Sequence, residues 1–153
     1  MRYILLILLT ILISGCSVDE HIDASDELRF SKALEKRYQL LEPLILHADL
    51  VDDYKSEKIW GYNIRGNPGY GGRYVLWRKK IPKNTIIKVK KAYVYSNILF
   101  SDFAYSVEIE NSLYNLDANI PIYVDSLLTK EENGYIILDP NFLKEIKNTE
   151  NLK

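Results

Sequence analysis

The chain has 153 residues, of which 47% are hydrophobic, 27% charged and 12% aromatic. That balance describes one folded globular domain and excludes a collagen-like chain, a polar disordered tail and a polytopic membrane protein. With 20 basic and 21 acidic side chains the formal net charge is −1, so no charge excess asks for nucleic acid as a partner.

The N-terminus carries Arg2, then an apolar run over 3–13, then Ser14, Gly15 and Cys16. A basic start, an apolar stretch and small residues at its end are the three parts of a secretory signal. As a helix, residues 3–15 span roughly 20 Å against a hydrocarbon core of about 30 Å, too short for a stable transmembrane anchor. Ile13-Ser14-Gly15-Cys16 resembles the lipobox of bacterial lipoproteins. The resemblance covers the first sixteen residues. It implies a diacylglycerol on the Cys16 thiol, cleavage before Cys16, and a mature chain tethered to a membrane by its first residue. Ser17, where an Asp would mean inner-membrane retention, implies the outer membrane in a two-membrane cell. Cys16 is the single cysteine. An intramolecular disulfide is therefore excluded, and the fold must rest on its core.

This reading divides the chain into a signal peptide (1–15), a lipidated tether (16–24), one β-rich domain (25–147) and a frayed tail (148–153). In the tether, Asp19, Glu20 and Asp23 are acidic. Ser25 then suits a helix N-cap, with Asp26 and Glu27 at the positive end of the dipole. Phe30, Ala33, Leu34, Tyr38 and Leu41 share one helical face, and Pro43 ends the helix. From there the period becomes two. Leu44, Leu46, Ala48 and Leu50 alternate with Ile45, His47, Asp49 and Val51, which predicts a strand with one wholly apolar face. Further strands are predicted over 58–64, 72–81, 85–95, 104–111, 121–125 and 135–138, separated by turn residues. In the third of these the apolar face switches between Val89 and Ala92, so a bulge is expected near Lys90 and Lys91. Asp139-Pro140 begins a short C-terminal helix with Phe142, Leu143 and Ile146 on its apolar face.

Connections are too short for βαβ units, so the expected fold is mainly β (α+β). It is a small antiparallel bent sheet or SH3/OB-like barrel, with an N-terminal helix and a short C-terminal helix. Residues 81–89 are similar to a turn-and-strand phrase of bacterial SH3-like modules, with Asn84 where that phrase usually has Gly.

Four groups of residues invite chemistry. His47 and Asp49 share a strand face, with Asp52 and Asp53 nearby, but a third metal ligand is missing from the pattern and no metal is expected. The segment 66–73 holds four glycines. With Arg65, Asn67, Tyr70 and Arg73 it is the expected ligand or partner site, because loop amides and guanidinium groups suit an anion or carboxylate. A long hairpin loop is the plainer alternative. Trp60, Tyr62, Tyr70, Tyr74 and Trp77 surround it and suit either packing or recognition. Arg78, Lys79, Lys80, Lys83, Lys88, Lys90 and Lys91 form a basic stretch, read as a solvated strand face. A nucleophile elbow and a usable thiol are both lacking, so no catalytic residue and no cofactor is assigned.

The expected function is therefore non-enzymatic. A lipid-anchored cell-envelope protein presents a small β domain to an envelope protein partner, as an assembly accessory or as an inhibitor or immunity factor. A module for cell-wall glycan or peptide is the alternative, and a small exported hydrolase a third reading.

Overall fold

The structure is a computed structural model that describes residues 20–51, 57–66, 69, 71–96, 101–111 and 114–147. Cys16 and the signal segment lie outside these residues, as do Asp52, Asp53, Asn67, Tyr70 and the C-terminal tail.

Among the described residues eleven strands are present: β1 (Glu20–Asp23), β2 (Arg37–Leu40), β3 (Leu44–Leu50), β4 (Ile59–Arg65), β5 (Val75–Ile81), β6 (Ile86–Ser96), β7 (Ser101–Ile109), β8 (Ile122–Val124), β9 (Leu128–Lys130), β10 (Ile136–Leu138) and β11 (Leu143–Ile146). Nine form one sheet in the order β11-β2-β6-β7-β8-β4-β3-β5, with β1 also paired to β6. The remaining two, β9 and β10, make a separate hairpin. Every pairing is antiparallel except β4 with β8. The mainly β expectation holds. The barrel does not, because β5 and β11 are two unjoined edges of an open sheet.

Neither expected helix forms. Of the N-terminal one, only a single 3-10 turn at Leu28–Phe30 exists. Glu35 takes φ 59°, a left-handed value that stops any helix there. Tyr38 and Leu40 then enter the core with period two, as residues of β2. The helical spacing was real, but the same apolar residues satisfy a turn plus a strand, and the open side of β6 supplies the ladder. Ser25 caps no helix. Its hydroxyl donates to Asp23 Oδ1 (2.7 Å) and accepts from the Ala92 amide (3.1 Å), which fastens the end of β1 to β6. At the C-terminus, Asp139 O accepts from the Phe142 and Leu143 amides for one turn only, and β11 then pairs with β2. A helix this short is a poor competitor for a ladder that buries Leu143.

Residues 20–23, assigned from sequence to a tether, are a strand. Glu20–Asp23 is part of the sheet, in register with Ser96 to Tyr93. The bulge in β6 falls where the sequence places it, between Val89 and Lys91 opposite β7. It keeps Val89 and Ala92 buried on one face while Lys90 and Lys91 stay in solvent. Asn84, between β5 and β6, holds φ 70°, a backbone region that Gly and Asn tolerate best.

The core lies on one face of the sheet. Leu44, Leu46 and Ala48 of β3, Ile64 of β4, Val124 of β8, Tyr105 of β7 and Ile87 of β6 are all buried there. The β9–β10 hairpin packs on this face. Tyr105, fully buried, donates its hydroxyl to Ile136 O at 2.5 Å.

Candidate functional site

The opposite face of the sheet carries polar and aromatic side chains, and the register sets their order. Lys91, Ser106, Tyr123, Asn63, His47 and Arg78 stand side by side across β6, β7, β8, β4, β3 and β5. Two residues on from this row come Arg65 in β4 and Asp125 just past β8 on one side, and Asp49 in β3 on the other. The alternation that buries Leu46 and Ala48 on the core face necessarily sends His47 and Asp49 to this one.

Despite facing away from the core, the centre of this face is buried. His47 is 0% exposed, Asn63 2% and Asp49 3%. Asn63 Nδ2 donates to Asp49 Oδ2 at 2.7 Å. Arg65 Nη2 donates to Asp125 Oδ2 at 3.0 Å, each side chain about a quarter exposed. Burial, together with the positive potential of Arg65 and Arg78, holds the His47 imidazole below its ordinary pKa and keeps it neutral; Asp125 opposes this weakly.

Part of the cover is Gly69, in the segment that joins β4 to β5. Both strands are neighbours of β3, one on each side, so the connection crosses β3 instead of making the hairpin anticipated as the plainer alternative. Gly69 lies in this crossing, against the His47 ring.

Beside the polar centre stands an aromatic wall. A register shift at Asp49 and Leu50 pairs Leu50 with Ile59, so Ile59 packs on the core while Trp60 joins the polar face. The indole meets Tyr123 at 5.7 Å between centroids with an interplanar angle of 33°, and the His21 ring edge-on at 5.3 Å. His21 Nδ1 also lies 3.1 Å from the Tyr123 hydroxyl. Tyr95, opposite His21 in the β1–β6 ladder, completes the wall with a T-shaped contact at 4.2 Å. Burial pushes the Tyr123 phenol up to about 12 and the Tyr95 phenol higher still, so both remain neutral donors.

Wall and centre line part of a groove of about 1170 Å³ in which Trp60, His21, Tyr95, Arg65 and Asp125 take part, and whose lining continues to Phe103 and to Leu128, Lys130 and Ile136 of the β9–β10 hairpin. Of the residues assigned from sequence, the structure places Arg65 in this groove, paired with Asp125. Arg73 is exposed, lies outside the groove lining and sits over the Tyr74 ring at 5.9 Å. Asn67 and Tyr70 fall outside the described residues. Arg65 and Arg73 therefore do not meet in this groove: Arg65 ends β4 and Arg73 precedes β5, on opposite sides of β3.

Other candidates resolve differently. His47 and Asp49 do share a face, but among the described residues no three His, Cys, Asp or Glu side chains gather to hold a metal. The basic stretch splits. Lys88 pairs with Glu35 (2.7 Å), Lys91 with Asp23 (2.8 Å) and Lys90 more loosely with Glu108 (3.8 Å). Arg78, Lys79 and Lys80 are exposed on β5, an edge strand, where charge discourages pairing with another chain.

Sequence reading missed His21, Asn63, Tyr95 and Asp125. The odd-even phase of β3 was legible, and continuing it through the cross-strand partners would have found Asn63. His21 was assigned to the tether, and four residues of alternation are too few to announce a strand. Comparison with family models, with curated proteins and with solved structures finds no match to this chain.

Proposed function

We propose that the protein is a non-enzymatic, lipid-anchored component of a bacterial cell envelope, and that its β domain acts by binding an envelope partner in the groove on its polar face. The anchoring half rests on the lipobox residues 13–16. The observation that carries the binding half is the groove itself. Fixed hydrogen-bonding side chains and an aromatic wall converge there, next to Phe103, Leu128 and Ile136 at the edge of the core.

The place of β1 adds a geometric consequence. Three residues separate Cys16 from Glu20, the first residue of the sheet. An extended chain over those four steps reaches at most about 14 Å. A lipid on Cys16 therefore holds the Glu20 end of β1 beside the bilayer, with His21 and the groove next to it. Two or three acyl chains make such anchoring stable where one is marginal. Two of the acidic side chains in the groove are engaged as acceptors, Asp49 from Asn63 and Asp125 from Arg65, which suits recognition better than proton transfer.

Two measurements test this reading. Cys16→Ala should move the protein out of the membrane fraction and abolish acyl labelling; unchanged partition with no label in either form refutes the anchor. Crosslinking in intact cells, followed by affinity capture and mass spectrometry, should recover an envelope component from wild type and lose it in Trp60→Ala. Capture that ignores Trp60→Ala refutes the groove as the contact surface.

A further inference from the structure

We infer that the groove walled by Trp60 and floored by Arg65 and Asp125 takes an uncharged oligosaccharide. The inference rests on the reading that this groove is the contact surface, and it names the chemistry of the occupant.

The wall supplies the first part of the argument. Trp60 is 38% exposed although it sits in a cluster of rings. Tyr123 covers one side of the indole and His21 meets it edge-on, so the side left to solvent is a fixed aromatic plate. An exposed plate of this size holds a ligand that is apolar on one face. Pyranose rings have such faces, built from axial C–H groups.

The floor supplies the second part. Arg65 and Asp125 are each about a quarter exposed and locked in one ion pair, so the guanidinium fork and the carboxylate are preset donors and acceptors. Planar groups of this kind bridge two neighbouring hydroxyls at once. Further along the lining, the buried Asp49–Asn63 hydrogen bond fixes a second polar pair, because a buried carboxylate must keep its partner. Charge supplies the third part. Asp49, Asp102 and Asp125 line the groove together with Arg65 and Lys130, and His21 is a third cation only when protonated. With the signs so nearly balanced, neither an anionic polymer nor a cation is attracted over a neutral ligand. Volume supplies the fourth. At about 1170 Å³ the groove exceeds the roughly 300–1,000 Å³ of a site for one small molecule, which suits several sugar units in a row. An apolar peptide uses the plate but would cover the Arg65–Asp125 pair without hydrogen-bonding to it, which costs desolvation.

The test is calorimetric titration of the full-length protein in detergent micelles with the tetramer of N-acetylglucosamine, and in parallel with cellotetraose. Saturable binding of at least one is expected. Trp60→Ala should weaken it about tenfold, while Trp60→Tyr, which restores a plate, should stay within about threefold of wild type. Circular dichroism checks that both variants fold. Sulfated or carboxylated oligosaccharides of the same length should bind more weakly than their neutral counterparts. No saturable binding of either neutral tetramer, or binding that Trp60→Ala leaves unchanged, overturns the inference. If neutral sugars fail while Trp60→Ala still abolishes capture of a protein from cells, the groove is the contact surface and its occupant is a protein. If both fail, the groove reading falls with the sugar.

Discussion

Gly69 and His47 touch so closely that a side chain between them has no room: a Cβ on Gly69 would lie 2.6 Å from His47 Nε2. The same glycine holds φ 71°, in the left-handed region. The β4–β5 connection thus meets His47 of β3 at a residue that has no side chain. Gly69→Ala combines steric overlap with backbone strain and should cost about 2–3 kcal/mol, read from chemical denaturation. In a His47→Ser background the overlap is relieved, and the same substitution should cost at least about 1 kcal/mol less. Equal costs in both backgrounds mean that the contact is not what the glycine protects.

His47 also sets a pH dependence. Its folded-state pKa lies below the ordinary 6.5, so the unfolded chain takes up the proton first as pH falls. Stability is unaffected by this group above about pH 6.5 and declines as pH drops below that value. Carboxylates held low by their partners, with Asp23 down to about 2 beside Lys91 and Ser25, lose their contribution only at lower pH. Urea midpoints measured from pH 7.5 down to 5 should fall for wild type and fall less for His47→Gln. Parallel profiles would assign the slope to another group.

Arg37 on β2 and Glu110 just past β7 are joined across β6 by two hydrogen bonds, Nε to Oε1 at 2.7 Å and Nη2 to Oε2 at 2.5 Å. The guanidinium holds the Glu110 carboxyl below its ordinary value of 4.5. The stability it adds is present above about pH 4.5 and is lost as pH falls through the folded-state value. Both side chains are partly exposed, so the pair contributes about 0.5–1 kcal/mol. A double-mutant cycle of Arg37→Gln and Glu110→Gln at pH 7 should return a coupling of that size, reduced in high salt. No coupling would show that solvent screens the pair completely.

Tyr105 ties the sheet to the β9–β10 hairpin through the Ile136 carbonyl. Tyr105→Phe keeps the ring and its contact with Phe30 (5.8 Å between centroids) but leaves a buried carbonyl without its donor. The expected loss is about 1–3 kcal/mol, with faster amide exchange in β10 than in β3. Uniform acceleration of exchange would mean that the hairpin has no separate opening.

Sequence alone determined the periodic parts. The odd-even pattern of Leu44 to Leu50 set both the core face and, by the same parity, the exile of His47 and Asp49 to the other. The phase change between Val89 and Ala92 predicted the bulge, because one skipped residue is the only way to keep both inside. Local pattern failed where two structures satisfy the same residues. Phe30, Ala33 and Tyr38 fit a helix by spacing. The tertiary structure placed them in a turn and a strand, because β6 offered an unpaired ladder that a marginal helix could not match. Only the tertiary structure decided that β5 lies beyond β3, since strand order is not encoded in the spacing of side chains. That order makes the glycine segment a crossing and not a hairpin, seats Gly69 on His47, and separates Arg73 from Arg65. It also brings His21, Trp60, Tyr95 and Asp125 together from four distant stretches of chain, an assembly fixed by ladder register and invisible to any local reading.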